Sequence, residues 1–207
     1  QSWMQPVLRW TVAIPELVKS SVSRVSAAVC AMAPCIHRKV PVTCTSVTDV
    51  ATRIPPKLLL HPVDLLGLGF GSGLVPVGPG TAGTLVAIPV YLLLQPLDLV
   101  VYLAITTVAF LAGIYICAHT ATRLGVHDHG GIVWDEIVGY LVTMTAAPAG
   151  WEWVAVGFVL FRLFDIAKPW PIRWLDRHVH GGLGIMLDDL VAGMFAALLL
   201  QGLVYFL

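Results

Sequence analysis

Long hydrophobic runs, separated by short polar breaks that contain Gly or Pro, make up the chain from Lys57 onward. Apolar runs of this length between turn residues are typical of helices rather than strands. We expect helices over about 57–68, 81–95, 97–123, 132–147, 151–167 and 184–207. Only 97–123 and 184–207 reach the roughly 20 residues that cross a bilayer core. The pattern therefore predicts an all-α fold in which short helices surround a polar site.

Residues 1–50 differ from the rest of the chain. They have neither a helical nor a strand period and are rich in Ser, Val, Pro and Thr, without the long apolar block of a signal peptide. We expect a disordered tail here and one helical domain over 57–207. Two origins of the tail stay open: a targeting segment, or upstream sequence translated ahead of a start near Val47. The second is preferred because the chain begins at Gln1.

Composition predicts that the helical domain lies in a membrane. The chain is 57% hydrophobic and 12% charged, against about 25% charged residues in soluble domains. Positive residues lie near Arg123 and over 168–177, whereas the breaks at 95–98 and 148–152 have none, which assigns the first set to the cytoplasm. Five crossings that begin at Gly80 then place every polar motif on the cytoplasmic side. We expect a multi-pass helical membrane bundle with a Gly/Pro-rich re-entrant loop.

Two acidic pairs interrupt the apolar runs. Asp135 and Glu136 lie in WDEIVG, and Asp188 and Asp189 lie in LDDLVAG. Each pair is expected at the start of a helix, with a glycine one turn later where a second helix can approach. The helix dipole offsets only part of the cost of burying carboxylates, and oxygen ligands suit Mg²⁺. We expect these four acids to bind Mg²⁺; the alternative is that they cap helices or pair with arginines.

The segment GLGFGSGLVPVGPGTAGT, from Gly67 to Thr84, is rich in glycine and leads into a helix. Successive backbone N–H groups in such a segment can cradle an anion. It is not a Walker loop, because no Lys follows the last glycine. A simple turn of the chain is an equally good interpretation. The candidate phosphate-binding positions are Gly71, Ser72, Gly73 and Thr81.

Cations and aromatic residues are concentrated in FRLFDIAKPWPIRWLDRHVHGG. The tryptophans suit the membrane interface, and the cations beside them suit anionic headgroups. Arg162 and Asp165 share a helical face, so a plain ion pair is the alternative for them. The candidates for phosphate binding are Arg162, Lys168 and Arg173.

Two histidines, His127 and His129, precede the first acidic helix in VHDHGG. A zinc site would need a third nitrogen or sulfur ligand, which the motif does not supply. We expect these histidines to cap the helix or to transfer protons near the site.

Acidic metal ligands, a candidate anion cradle, cations and interfacial tryptophans together suggest metal-assisted chemistry on a phosphorylated lipid. The segments FGSGLVPVGPGTAGTL, HDHGGIVWDEIVG and FRLFDIAKPWPIRWLDRHVHGGLGIMLDDLVAG closely resemble the phosphatidylglycerophosphatase A family, over roughly Leu58 to Leu207. The resemblance implies an all-helical, Mg²⁺-dependent phosphatase of the bacterial inner membrane, which converts phosphatidylglycerophosphate to phosphatidylglycerol and phosphate. It also places the acidic motifs of the family on the two acidic pairs.

The expected mechanism is in-line attack of water on the phosphorus, with one or two Mg²⁺ ions held by the four acids and Asp165 at the edge. The three cations would neutralise the phosphate, and His127 or His129 would protonate the leaving oxygen. An aspartyl-phosphate route stays open. The alternative functions are a divalent-cation transporter, another lipid phosphate phosphatase or phosphotransferase, and a purely structural bundle. We expect no nucleic-acid partner, and the sequence does not predict the oligomeric state.

Overall fold

A computed structural model describes residues 54–126 and 129–206. These residues form helices and connecting loops without a strand, so the all-α prediction is confirmed for them. The predicted tail at 1–50 lies outside the described residues. Two 3₁₀ helices cover Pro56–Leu60 and Gly69–Leu74. The α-helices are α1 (Pro62–Gly67), α2 (Pro79–Leu94), α3 (Leu99–Leu124), α4 (Trp134–Thr143), α5 (Trp151–Ala167), α6 (Ile172–His178) and α7 (Gly181–Phe206).

Three of the predicted helices differ from the observed ones. The run at 57–68 divides at Pro62, because proline lacks the N–H that a continuing helix would need and instead occupies the first position of α1. Helix α4 ends at Thr143, earlier than expected, and α7 begins at Gly181. Helix α6 was not predicted, since its seven residues directly follow a pair of prolines that indicated a break.

Helices α3 and α7 have 26 residues each and are long and apolar enough to cross a membrane, by length and composition. At about 1.5 Å per residue each is about 39 Å long. These are the two runs for which the sequence predicts a sufficient length. Helix α7 contacts α3, α4, α5 and α6, and its small buried residues Ala192 and Ala196 pack in the main core with Tyr140 and Phe161.

Helices α4 and α7 approach each other closely through Gly139 and Gly193. A Cβ atom added to Gly193 would lie 2.4 Å from the carbonyl oxygen of Gly139, and one added to Gly139 would lie 2.9 Å from that of Asp189. The sequence predicts such an approach one turn after each acidic pair, and the structure confirms it. The two glycines thereby bring the acidic turns of α4 and α7 together.

The glycine-rich segment turns sharply before α2. Phe70 and Gly71 have positive φ values of 57° and 98° within the 3₁₀ helix Gly69–Leu74, which suits glycine at the second position. A Cβ atom on Gly73 would lie 1.9 Å from the carbonyl oxygen of Gly131. This segment therefore packs directly against the turn that leads into α4.

Candidate active site

Three carboxylates meet between α4 and α7. Asp135 and Glu136 lie in the first turn of α4, and Asp189 lies in α7. One oxygen of each lies within 4.8 Å of the others, an arrangement that could hold a metal ion. We call these three residues the acidic centre. Asp189 has only 3% of its surface exposed, so these like charges are brought together with little screening by water.

The position of Asp189 corrects one expectation. The second acidic pair lies more than one turn inside α7, which begins at Gly181, and not at the start of the helix. The dipole of a helix acts within its first turn, so it cannot offset the charge of Asp189. The need for a compensating cation is therefore greater here than the sequence indicates.

Two oxygen atoms of the acidic centre lack a hydrogen-bond partner within the described parts of the chain. They are Oε2 of Glu136 and Oδ2 of Asp189, and both are buried. Burying such oxygens without a partner is costly, whereas a hard divalent cation would coordinate them. The all-oxygen donor set fits Mg²⁺, which takes one or two carboxylates directly and keeps several waters.

Helix α5 supplies Arg162 and Asp165 to the edge of this centre. Nη1 of Arg162 forms an ion pair with Oδ2 of Asp165, three residues later on the same face, as the alternative interpretation of the sequence requires. Asp165 also lies beside the Asp189 carboxyl group. The ion pair therefore borders the acidic centre and keeps one cation next to it.

Gly80 allows the first turn of α2 to approach the acidic centre. A Cβ atom at this position would lie 2.3 Å from Oε1 of Glu136 and 3.0 Å from Nη1 of Arg162. Any larger residue would collide with both side chains. Gly80 is predicted as the start of the first crossing but not as a site residue; its position directly after Pro79 at a helix start is the signal that identifies it. Among the predicted phosphate-binding positions, Thr81 follows Gly80 in the first turn of α2.

The remaining predicted positions of the glycine-rich segment are engaged in its own turn. The N–H groups of Gly71 and Gly73 both donate to the carbonyl oxygen of Leu68, at 2.9 and 3.1 Å. The hydroxyl of Ser72 donates to the carbonyl oxygen of Gly69 at 2.8 Å. These bonds stabilise the turn and occupy the two amides that an anion cradle would use. The first turn of α2 is the part of the segment that borders the acidic centre.

Asp188 is the fourth predicted metal ligand, and it lies outside the group of three. Its Oδ2 accepts a hydrogen bond of 2.6 Å from Nζ of Lys168, which also donates to Asp176 at 2.8 Å. Lys168 ends α5 in a left-handed conformation with φ 39°. Burial alone would lower the pKa of Lys168, but its hydrogen bonds to Asp176 and Asp188 outweigh burial and raise the pKa above its ordinary value. Lys168 is therefore charged, and a metal-binding role for Asp188 stays a prediction.

A groove beside Lys168 collects most of the predicted cations and interfacial tryptophans. Its volume is about 340 Å³, and its lining includes Lys168, Trp170, Arg173, Trp174, Arg177 and His178. We call it the cationic groove. Trp170 is 83% exposed, and the ring of His178 stacks on Trp174 with centroids 4.7 Å apart. The predicted phosphate ligands thus fall in two places, with Arg162 at the acidic centre and Arg173 in the groove.

The histidine motif is described only in part, because His127 lies outside the described residues. Nδ1 of His129 accepts a hydrogen bond of 3.0 Å from the N–H of Gly131. The carbonyl oxygen of His129 accepts another, of 2.8 Å, from the N–H of Ile132. His129 therefore shapes the turn before α4, and its part in proton transfer stays a prediction.

Comparison with known proteins adds independent information. Residues 65–204 match the family model described as Phosphatidylglycerophosphatase A. Phosphatidylglycerophosphatase A of Escherichia coli (strain K12) is 51% identical over 148 residues, which are 71% of this chain and 84% of that protein. Its namesake from Haemophilus influenzae is 44% identical over 154 residues, 72% of this chain and 93% of that protein.

A third relative carries a different substrate in its name. It comes from Bacteroides thetaiotaomicron, has the provisional name phosphatidylinositol-3-phosphatase, and is 40% identical over 144 residues, 66% of this chain and 89% of that protein. No solved structure matches the chain.

Proposed function

Because the chain belongs to the phosphatidylglycerophosphatase A family and is therefore a phosphatase, we propose that it hydrolyses phosphatidylglycerophosphate to phosphatidylglycerol and phosphate with the help of Mg²⁺. The observation that carries this proposal is the acidic centre, where a buried carboxylate, Asp189, and two partly buried ones from a second helix lie within 4.8 Å of one another. The relatives named phosphatidylglycerophosphatase A support the substrate.

The residues that would hold Mg²⁺ are Asp135, Glu136 and Asp189, with Asp188 as a further ligand, direct or through water. When bound, Mg²⁺ neutralises charge on the phosphate and makes water more acidic. Arg162 lies beside Glu136 and is placed to bind a phosphate oxygen in this centre. Lys168 holds Asp188 in position through its short hydrogen bond.

In the proposed reaction, water attacks the phosphorus in line and the bond to the glycerol oxygen breaks. That oxygen takes its proton from His127 or His129, and the proton that the attacking water loses restores the histidine. Nδ1 of His129 accepts a hydrogen bond from Gly131, which leaves Nε2 to carry the proton that would be donated. Asp165, beside Asp189 and paired with Arg162, orients these two side chains at the edge of the centre.

An aspartyl-phosphate route is the alternative to direct attack. A terminal thiophosphate made chiral with oxygen isotopes distinguishes them, because one displacement inverts the configuration at phosphorus and two displacements retain it. We expect inversion. Retention would assign a covalent role to one of the acids.

The apolar surface of the helices supports the proposal that the protein inserts into a membrane. Helix α3 exposes the apolar side chains Val100, Val108, Leu111 and Tyr115 along its length, which suits contact with lipid. We place the chain in the bacterial inner membrane as a multi-pass bundle. The glycine-rich segment is its re-entrant loop, and the acidic centre and the cationic groove are on the cytoplasmic face.

The cationic groove would then bind the phosphodiester of the same lipid. Arg173 and Arg177 form no ion pair within the described parts of the chain, and Trp170 and Trp174 suit the interfacial region. A cysteine at position 177, in a variant without the native cysteines, tests the orientation. A membrane-impermeant maleimide should label it in inverted vesicles only; labelling in right-side-out vesicles would contradict the cytoplasmic assignment.

The central test is phosphate release by the purified protein, first treated with EDTA and then given Mg²⁺. We expect release from phosphatidylglycerophosphate only when Mg²⁺ is present. Phosphatidylinositol 3-phosphate and phosphatidic acid, supplied in the same vesicles, test the substrate, and faster turnover of either would contradict our assignment. Metal flux into liposomes without phosphate release would instead favour the transporter alternative.

A further inference from the structure

A second cluster of potential metal ligands lies where α1 meets the C-terminal half of α3. His61 precedes α1, Asp64 lies within it, and His119 comes from α3. One ligand atom of each lies within 4.8 Å of the others. We call these three residues the histidine cluster. None of them belongs to the motifs of the acidic centre or the cationic groove.

Asp64, the carboxylate of the histidine cluster, is held in position by two hydrogen bonds. Its side chain is completely buried. Oδ2 accepts a hydrogen bond of 2.5 Å from Nη1 of Arg123, and Oδ1 accepts one of 3.2 Å from the hydroxyl of Thr120. The bond from this arginine is charge-assisted and therefore strong. Since a carboxylate offers about four acceptor sites, Asp64 can bind a further partner.

The two histidines face Asp64 at distances that a hydrogen bond does not explain. Nδ1 of His61 lies 3.8 Å from Oδ2, and Nε2 of His119 lies 3.9 Å from Oδ1. Hydrogen bonds between nitrogen and oxygen are shorter, at about 2.7–3.2 Å. Both nitrogens are buried and have no hydrogen-bond partner among the residues that the structure describes. Two ligands that share one metal at about 2.0–2.1 Å can be up to about 4.2 Å apart, which accommodates both distances.

The setting of the rings also suits a metal site. The imidazoles of His61 and His119 stack with centroids 5.2 Å apart, and Tyr115 stacks on His119. Their side chains are 44% and 29% exposed, although the two nitrogens that face Asp64 are buried, so the histidine cluster lies just below the surface of the described residues. The stacking limits the rotation of the two rings.

We propose that His61, Asp64 and His119 bind a divalent transition metal ion of the Zn²⁺ class. Two imidazoles and one carboxylate are a donor set that Zn²⁺ accepts and Mg²⁺ does not prefer. This site is distinct in composition from the all-oxygen acidic centre. It does not depend on the proposed function, since it involves no residue of that centre.

A metal ion bound by the histidine cluster would strengthen the contact between α1 and α3. Gly67, at the end of α1, packs so closely that a Cβ atom would lie 2.5 Å from Oγ1 of Thr120. Its carbonyl oxygen accepts a hydrogen bond of 2.9 Å from Val133, just before α4. The metal would link helix α3 to the segment that precedes the glycine-rich turn. We therefore expect it to stabilise the protein rather than to take part in hydrolysis.

Metal binding by the full-length protein, purified in detergent and stripped with EDTA, tests the proposal. Equilibrium dialysis against Zn²⁺ should show one ion more per chain in the wild type than in His61→Gln/His119→Gln. Co²⁺ should give the wild type the strong visible absorption of a nitrogen-ligated site, and the double variant only the weak absorption of oxygen ligands. Adding Zn²⁺ should raise Tm more in the wild type than in the variant, by mass action.

The controls separate this site from other metal ligands. His178→Gln removes an exposed histidine of the cationic groove and should leave Zn²⁺ stoichiometry unchanged. Asp189→Asn should leave the Co²⁺ absorption unchanged. His119→Gln alone, a milder change than the double variant, should weaken Zn²⁺ binding by more than about 100-fold, because loss of an outer-shell partner alone costs 10–100-fold. Equal Zn²⁺ stoichiometry and equal Co²⁺ spectra in the wild type and both histidine variants would overturn the proposal.

Discussion

Asp64 and Asp189 are both carboxylates with almost no exposed surface, but the charges around them differ in sign. Asp64 has the guanidinium of Arg123 at 2.5 Å and the hydroxyl of Thr120 at 3.2 Å. Asp189 has the oxygens of Asp135 and Glu136 within 4.8 Å, with the Asp165 carboxyl also beside it.

The difference lies in how the charge of each carboxylate is balanced. The charge of Asp64 is balanced by Arg123, so its burial does not by itself require a cation, and a metal ion bound by the histidine cluster would add to this balance. At the acidic centre Arg162 is already paired with Asp165, and the remaining negative charge has no counterpart among the residues that the structure describes. A divalent cation would supply it. Removing the charge should therefore affect the stability of the two sites in opposite directions.

The largest effect is expected from Asp189→Asn, which keeps the shape of the side chain. Turnover of phosphatidylglycerophosphate should fall by about 10³-fold or more, since even one transition-state donor is worth 10²–10³-fold. In EDTA the same variant should unfold at higher denaturant concentration than the wild type, because one of the crowded charges is gone.

Phosphate release and denaturant unfolding in EDTA measure the two effects of Asp189→Asn. Glu152→Gln is the control, because it neutralises an exposed acid in the first turn of α5. It should leave turnover unchanged and should lower the free energy of unfolding by no more than about 1 kcal/mol, because an acid is lost from a helix start. Unchanged turnover in Asp189→Asn would contradict the assignment of the acidic centre.

Gly193→Ala tests whether the contact between α4 and α7 assembles the acidic centre. The new methyl group would lie 2.4 Å from the backbone carbonyl oxygen of Gly139, so the helices must separate. We expect a loss of about 3 kcal/mol in the free energy of unfolding, at the upper end of overpacking, and reduced activity.

Gly202→Ala is the matched control for this change, since it lies in the same helix with nothing within 4 Å of its added methyl group. It should be neutral or stabilising by up to about 1 kcal/mol, because alanine favours helix. Similar destabilisation by both alanines would show that the close approach is not the cause.

Asp64→Asn is the counterpart of Asp189→Asn. It should lower the free energy of unfolding in EDTA by about 1–3 kcal/mol, because charge-assisted hydrogen bonds from Arg123 and Thr120 are weakened. Arg123 is 41% exposed, so water solvates the cation that is left and limits the loss. Chemical denaturation of Asp64→Asn and Asp189→Asn in EDTA compares the two sites directly. A change of the same sign in both free energies of unfolding would refute the predicted difference.

The sequence predicts that acids from two helices form one centre, but it does not predict which of the four acids belong to it. Adjacent residues point about 100° apart on a helix, so Asp188 and Asp189 face different neighbours, and only the packing of α7 decides which one meets α4. The glycine one turn after each acidic pair predicts that another helix can approach there, and in the structure α4 and α7 approach each other at these glycines.

Other features could not be predicted because they depend on distant parts of the chain. The histidine cluster joins Asp64 to a helix more than fifty residues later, and nothing local to HPVDLL indicates that partner. Helix α6 follows two prolines that normally mark a break. Conversely, the long apolar runs of α3 and α7 were predictable, because their length alone identifies them.

Lys168→Met should give the smallest effect of these changes. It removes the cation that balances Asp188, as Arg123 balances Asp64, and makes the charges around Asp188 more like those around Asp189. The change removes the hydrogen bond of 2.6 Å to Asp188, whose side chain is only 10% exposed, and should lower the free energy of unfolding by about 1–2 kcal/mol. Asp176 is the other partner of Lys168 and is 38% exposed. Asp176→Asn should therefore lower the free energy of unfolding by less than about 1 kcal/mol.

The pKa of Lys168 is raised in the folded state, so its stabilising contribution is complete below the unfolded pKa of about 10.4. This contribution is lost only as the pH rises through the higher folded pKa. Denaturant unfolding from pH 6 to 9 should therefore show a constant difference between wild type and Lys168→Met, and a difference that shrinks within this range would show that the lysine is not held by these two carboxylates.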